Sequence, residues 1–86
     1  MAPNYFSLQG VWGLELEKQK KYKEAIKHYD KALQIKGDYL FGLRHRAWCY
    51  IKTQEYELAL KDLSKAIGIE PDDVFAITNR AFIYAR

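Results

Sequence analysis

Displaced by 34 positions, the chain falls onto itself. Tyr22 pairs with Tyr56, Ala25 with Ala59, Ile26 with Leu60, Tyr29 with Leu63, Ala32 with Ala66, Leu33 with Ile67 and Ile35 with Ile69. The same shift carries Arg46-Ala47-Trp48-Cys49-Tyr50 onto Arg80-Ala81-Phe82-Ile83-Tyr84, so a third copy has begun before the sequence stops. A fixed period of this length marks a repeat architecture, in which each unit buries its apolar face by stacking on its neighbours.

Within each copy the apolar residues step by three and four. Tyr22, Ala25, Ile26, Tyr29, Ala32 and Leu33 form one stripe of an amphipathic helix, and Lys23, Lys27, Asp30, Lys31 and Gln34 form its expected solvated face. Tyr56 to Ile69 repeats the pattern, with Glu57 four residues before Lys61 in the favourable order. Tyr5 to Gln19 and Tyr39 to Lys52 also read as helices. Gly37-Asp38 and Glu70-Pro71-Asp72-Asp73 break the chain between copies and offer Asp side chains to the free N–H groups of the next helix. The turns at Lys20-Lys21 and Thr53-Gln54 are short, so successive helices are antiparallel neighbours. The reading is an all-α chain of five helices in about two and a half 34-residue repeats. Repeat one covers 6–39, repeat two 40–73 and a partial repeat three 74–86, all within a single helical repeat domain, 1–86.

These residues resemble the tetratricopeptide repeat. In the second copy its pattern lands on Leu43, Ala47, Tyr50, Tyr56, Ala59, Leu63, Ala66 and Pro71, and in the first on Trp12, Gly13, Leu16, Tyr22, Ala25, Tyr29 and Ala32. Gly13 or Ala47 then faces Ala25 or Ala59 where the helices of a hairpin come closest, while large side chains fill the surrounding gaps. Ala32 or Ala66 admits the next repeat. Gln9 stands where a large apolar residue is usual, Gly37 replaces the closing Pro, and Arg46 and Arg80 replace Leu. Such an Arg is expected to lay its stem on the core and keep its head in water. The resemblance implies antiparallel hairpins stacked as a short right-handed solenoid and a protein–protein interaction scaffold.

At 49% hydrophobic residues the 86-residue chain is too apolar for a disordered tail. A net charge of +3 favours an acidic partner without demanding nucleic acid. One cysteine, Cys49, leaves no internal disulfide, no signal segment is evident, and no apolar run nears the roughly 20 residues that span a bilayer. A cytoplasmic protein with no membrane partner is the expectation.

Chemistry is sparse. His45 and Cys49 lie four apart on one helical face, the spacing of a Cys–His pair or half a metal site, but zinc takes three or four ligands and His28 lies on another helix. A packed cysteine beside a groove-facing histidine is the simpler reading. The acids spread along solvated faces with lysine partners, and no phosphate loop or metalloprotease motif occurs. No catalytic residue, metal or cofactor is expected. Lys18-Gln19-Lys20-Lys21-Tyr22-Lys23 offers a polyanion an alternative site, although nucleic acid is the weaker reading because Tyr22 is a core position and lysines crowd a turn.

The resemblance places the first helix of each pair along a concave groove that receives partner segments. The matching positions are Val11, Leu14 and Lys18; Phe41, Arg44, His45, Trp48 and Lys52; and Phe75, Asn79 and Phe82. Arg44 and Trp48, one turn apart, are the expected central anchors; Trp48 and Phe82 packing only on each other is the simpler alternative. The clamp by which some members hold a chaperone's C-terminal carboxylate is not expected, because Gly10, Leu14 and His45 occupy its places and Asn79 is its only echo. The last segment, 74–86, lacks a covering helix and is expected to leave Phe75, Phe82 and Ile83 partly exposed. That open face suggests either a longer array or a homo-oligomer formed through it.

Overall fold

A computed structural model describes residues 4–86. They form α1 (Tyr5–Lys18), α2 (Tyr22–Ile35), α3 (Leu40–Lys52), α4 (Tyr56–Ile69) and α5 (Val74–Tyr84), with no strand among the described residues. Each helix packs on the next as an antiparallel neighbour, α1 also touches α3, and the molecule measures 43 × 27 × 17 Å. The fold is the expected all-α repeat solenoid.

The tight turns inside the two hairpins share one device. Lys20 and Gln54, which occupy the same step of successive repeats, hold positive φ angles of 63° and 62°. The amide of Lys21 reaches back to the Leu16 carbonyl at 2.9 Å, and that of Glu55 to Tyr50 at 2.8 Å. This six-to-one closure, with Lys20 and Gln54 in the left-handed position usually given to glycine, ends α1 and α3 and reverses the chain. Between repeats the turns are longer. Asp73 caps α5, its Oδ1 accepting from the Ala76 amide at 3.2 Å. The matching role expected of Asp38 is not taken: Tyr39 precedes α3, no side chain caps that helix, and Asp38 pairs with Lys36 at 3.4 Å. Asp38 stands one residue too early to reach the free amides.

Leu43, Ala47, Ala59, Leu63, Ala66, Ala76 and Ile83 form one buried cluster, and Ala25, Ile26, Tyr29 and Cys49 the other. Burying a side chain such as Leu63 contributes about 1.5–3 kcal/mol. Where α1 meets α2, a Cβ on Gly13 would lie 2.6 Å from the Tyr29 ring. The nearest neighbour of Gly13 is thus Tyr29 rather than Ala25. The second repeat keeps the fit with the sizes redistributed, Ala47 matching Gly13 and Leu63 matching Tyr29.

Three expectations change on packing. Arg46 does not hold its head in water. Its Nε and Nη2 donate to Asp62 Oδ2 and Oδ1 at 2.8 and 2.7 Å, and its Nη1 to Asp30 Oδ1 at 2.9 Å. Asp62 is buried, so the acids are not confined to solvated faces, and the fork ties α3 to both α2 and α4. Burial opposes the charge on Arg46, but the hydrogen bond to Asp62 outweighs it and raises the guanidinium pKa further.

Trp12 is the second change. It is the first repeat's counterpart of Arg46, is 57% exposed, and stacks on His28, with ring centroids 4.4 Å apart. His28 in turn matches Asp62 at the repeat period, so an aromatic stack and an ion pair fill the same place in successive hairpins. Gln9 is buried despite its polarity because its Oε1 accepts from His28 Nδ1 at 2.7 Å. Third, Ile83 is buried against the second repeat rather than partly exposed. The outer face of α5 instead shows Val74, Ile77 and Tyr84, while Phe75 is half-buried and Phe82 about half exposed.

Two glycine substitutions are expected to move stability in opposite directions. Gly13→Ala drives a methyl into the Tyr29 ring and costs about 1–3 kcal/mol. Gly68→Ala, on α4 where nothing lies within 4 Å of the added carbon, gains about 0.5–1 kcal/mol through backbone entropy. Urea unfolding of the two variants checks both signs.

Candidate functional site: the groove of α1, α3 and α5

The 34-residue period matches Ser7, Val11, Leu14 and Lys18 of α1 with Phe41, His45, Trp48 and Lys52 of α3, and with Phe75, Asn79 and Phe82 of α5 and Arg86 after it. Two adjoining recesses lie between α3 and α5. The first, about 340 Å³, is lined by Glu17, Arg44, His45, Trp48 and Phe75. The second, about 330 Å³, is lined by Trp48, Ile51, Lys52, Thr78, Asn79 and Phe82. Trp48 is the wall common to both. Of the expected groove residues, Arg44, His45, Trp48, Lys52, Phe75, Asn79 and Phe82 therefore come together.

The others are placed differently. Val11 and Lys18 are exposed on α1 and Leu14 is half-buried there, and none of the three lines either recess. Phe41 is half-buried, and its ring is engaged by His45 at 4.2 Å and Tyr39 at 5.7 Å. Trp48 and Phe82 share the second recess. Trp48's close ring contact is with a cation, Lys52 Nζ at 4.7 Å from its centroid.

Glu17 organises the floor of the first recess, and sequence reasoning passed over it. Its Oε1 accepts from the Tyr29 hydroxyl at 2.8 Å, from His45 Nδ1 at 3.1 Å and from the Cys49 thiol at 3.7 Å. Burial disfavours its charge, yet the hydrogen bonds from His45 and Tyr29 win and hold the carboxyl below its ordinary value. The period contained the signal: Ile51 stands at the matching step of the second repeat, so an acid occupies a place where the next repeat is apolar. Burial, followed by the charge of Glu17, pushes the Cys49 thiol up to about 12. Such a thiol carries almost no thiolate at neutral pH and is a poor nucleophile. His45 and Cys49 are thus joined through one carboxylate as a packed structural set. No group of three or more metal-ligating side chains is assembled among the described residues.

Arg44 also differs from the free anchor expected of it. Its Nε donates to the buried Asp73 Oδ2 at 2.6 Å. Asp73 thereby both caps α5 and binds α3, fixing the two groove helices against each other.

A family model for the tetratricopeptide repeat matches residues 12–39, and a second of the same description matches residues 45–73. The chain belongs to the tetratricopeptide repeat family. Repeats of this family are generally non-enzymatic scaffolds for protein–protein interaction, which agrees with a groove whose polar groups are engaged with one another. A comparison with curated proteins gives no match. No helix of this tetratricopeptide repeat chain, among the described residues, is long and apolar enough to cross a membrane.

The Glu17 network makes stability depend on acid. A carboxyl held below its ordinary 4.5 contributes stability that is present above that value and lost as pH falls through the lower, folded value. Thermal unfolding followed from pH 6 to pH 2.5 is expected to show Tm dropping below about pH 4.5, with a shallower drop in Glu17→Gln.

Proposed function

We propose that the chain binds a partner protein by receiving an extended segment across α1, α3 and α5, with Trp48 at the centre of contact. The carrying observation is the pair of adjoining recesses that share Trp48 as a wall. Their rims expose indole, phenyl and ammonium groups, and a central indole of this kind is among the side chains that most often dominate interface energy. The supporting frame is rigid, since Asp73 holds Arg44 and Glu17 holds His45. A pre-organised surface of this kind loses little conformational freedom on association.

The polyanion alternative receives less support. Lys20 is fixed in a left-handed turn whose backbone hydrogen bonds close α1, which accounts for the lysine-rich stretch as a solvated reversal.

The test is a photo-crosslinking amino acid placed singly at Lys52, on the groove rim, or at Lys61, on the exposed face of α4. The groove position is expected to capture a discrete protein in native extract. Trp48→Ala, combined with the Lys52 label, is expected to reduce that capture about tenfold or more, the loss of a hot-spot side chain. Capture from Lys61 with none from Lys52 would place binding on the other surface.

A further inference from the structure

The 34-residue period places a cation at the same step of every groove helix. Lys18 closes α1, Lys52 closes α3, and Arg86 follows α5. One turn earlier the same period sets Leu14, Trp48 and Phe82. In the second and third copies the two rows touch: Lys52 Nζ lies 4.7 Å from the Trp48 centroid, and Arg86 Cζ 5.7 Å from that of Phe82 and 4.8 Å from that of Tyr56 on α4. In these two copies a cation near the aromatic one turn before it marks the groove edge, and in the first Lys18 stands one turn after Leu14.

The charges of the groove floor differ from those of this edge. Arg44 is paired with Asp73 at 2.6 Å, and the carboxylate of Glu17 is already engaged by the Tyr29 hydroxyl, His45 and the Cys49 thiol. Among the described residues, no carboxylate lies within ion-pair distance of Lys18, Lys52 or Arg86. The second recess carries Lys52, Thr78 and Asn79 as its polar groups and no acid. A partner carboxylate thus meets a floor whose charged groups already have partners and an edge whose cations have none.

We infer that the groove edge selects a peptide segment with carboxylates at every third residue and apolar side chains between them, one acid per repeat. This rests on the groove-binding reading and specifies its partner. The spacing follows from geometry. Helices in contact, as α1 and α3 are, lie about 8–10 Å apart, and the repeat carries α3 on to α5 by the same step. A polyproline-II segment advances about 3.1 Å per residue with three residues per turn, so every third side chain returns to the same face about 9 Å further on and sets one carboxylate at each cation. The intervening apolar side chains then face the row of Leu14, Trp48 and Phe82. A continuous acidic run matches this edge poorly, because two of every three carboxylates fall between cations on apolar surface.

The test uses three blocked peptides and isothermal calorimetry on the whole chain. The first is acetyl-Asp-Leu-Ser-Asp-Leu-Ser-Asp-Leu-amide, the second its Asn counterpart, and the third has the same composition with its three Asp contiguous. Exposed ion pairs each change affinity by roughly two- to fivefold, so the spaced acidic peptide is expected to bind about tenfold or more tighter than the Asn peptide. It is also expected to weaken with salt and to outbind the contiguous one. Lys18→Gln and Lys52→Gln are each expected to weaken it about two- to fivefold, with Lys23→Gln on α2 leaving it unchanged. Circular dichroism confirms that each variant is folded.

Equal binding of the Asp and Asn peptides overturns the inference and leaves the groove reading standing. Equal binding of the contiguous peptide, or of a single-stranded oligonucleotide, overturns it in favour of unselective polyanion attraction. If no peptide binds, the inference fails, and the crosslinking from Lys52 decides the groove reading separately.

Discussion

The close approach of α1 to α2 at Gly13 is the contact on which the groove depends. With no Cβ at Gly13, the Tyr29 ring lies directly against the α1 backbone, and its hydroxyl is carried to Glu17, one turn further along α1. Glu17 then holds His45 and Cys49 of α3. A missing methyl group thereby sets the position of the groove floor through a ring, a carboxylate and an imidazole. The network is costly to break because a half-buried carboxylate without donors loses solvation without replacement.

The two hairpins share a shape and differ in chemistry at the same point. Trp12 on His28 in the first and Arg46 on Asp62 in the second both bridge the two helices of a pair. The bridge in the second repeat also reaches back to Asp30, so it joins repeats as well as helices. Bidentate geometry and a third hydrogen bond offset the desolvation of such an ion pair, which on its own gives little net stability. Its directional bonds fix the relative position of α2, α3 and α4, a specification that nondirectional apolar packing lacks.

Charge is divided in space within the groove. Acids and bases meet on the floor, where Asp73 serves Arg44 and Glu17 serves His45. Along the edge Lys52 and Arg86 stand over aromatic rings. Ring faces attract these cations without neutralising them, so their charge remains available to a partner while their position is held.

The fold was legible in the sequence because stacking helices at a fixed repeat demands the same residue sizes at the same steps. Ala25, Ala59, Ala32, Ala66, Tyr29 and Leu63 announce both the period and the core, and all are buried without exposure. The groove was legible in part: the family resemblance implied Trp48, Lys52, Phe75, Asn79 and Phe82 as one surface, and they line the recesses between α3 and α5. What helical phase cannot give is the reach of a long side chain across to another helix. Arg46 finding Asp30 and Asp62, Arg44 finding Asp73, and Glu17 collecting Tyr29, His45 and Cys49 are contacts between residues 12 to 32 positions apart. The sequence by itself determined the helices, their phase and the repeat, because those depend on local spacing and residue volume. Only the tertiary structure decided which charges are paired inside the groove and which remain at its edge, because a charge is paired or free according to what stands within a few ångströms of it in space.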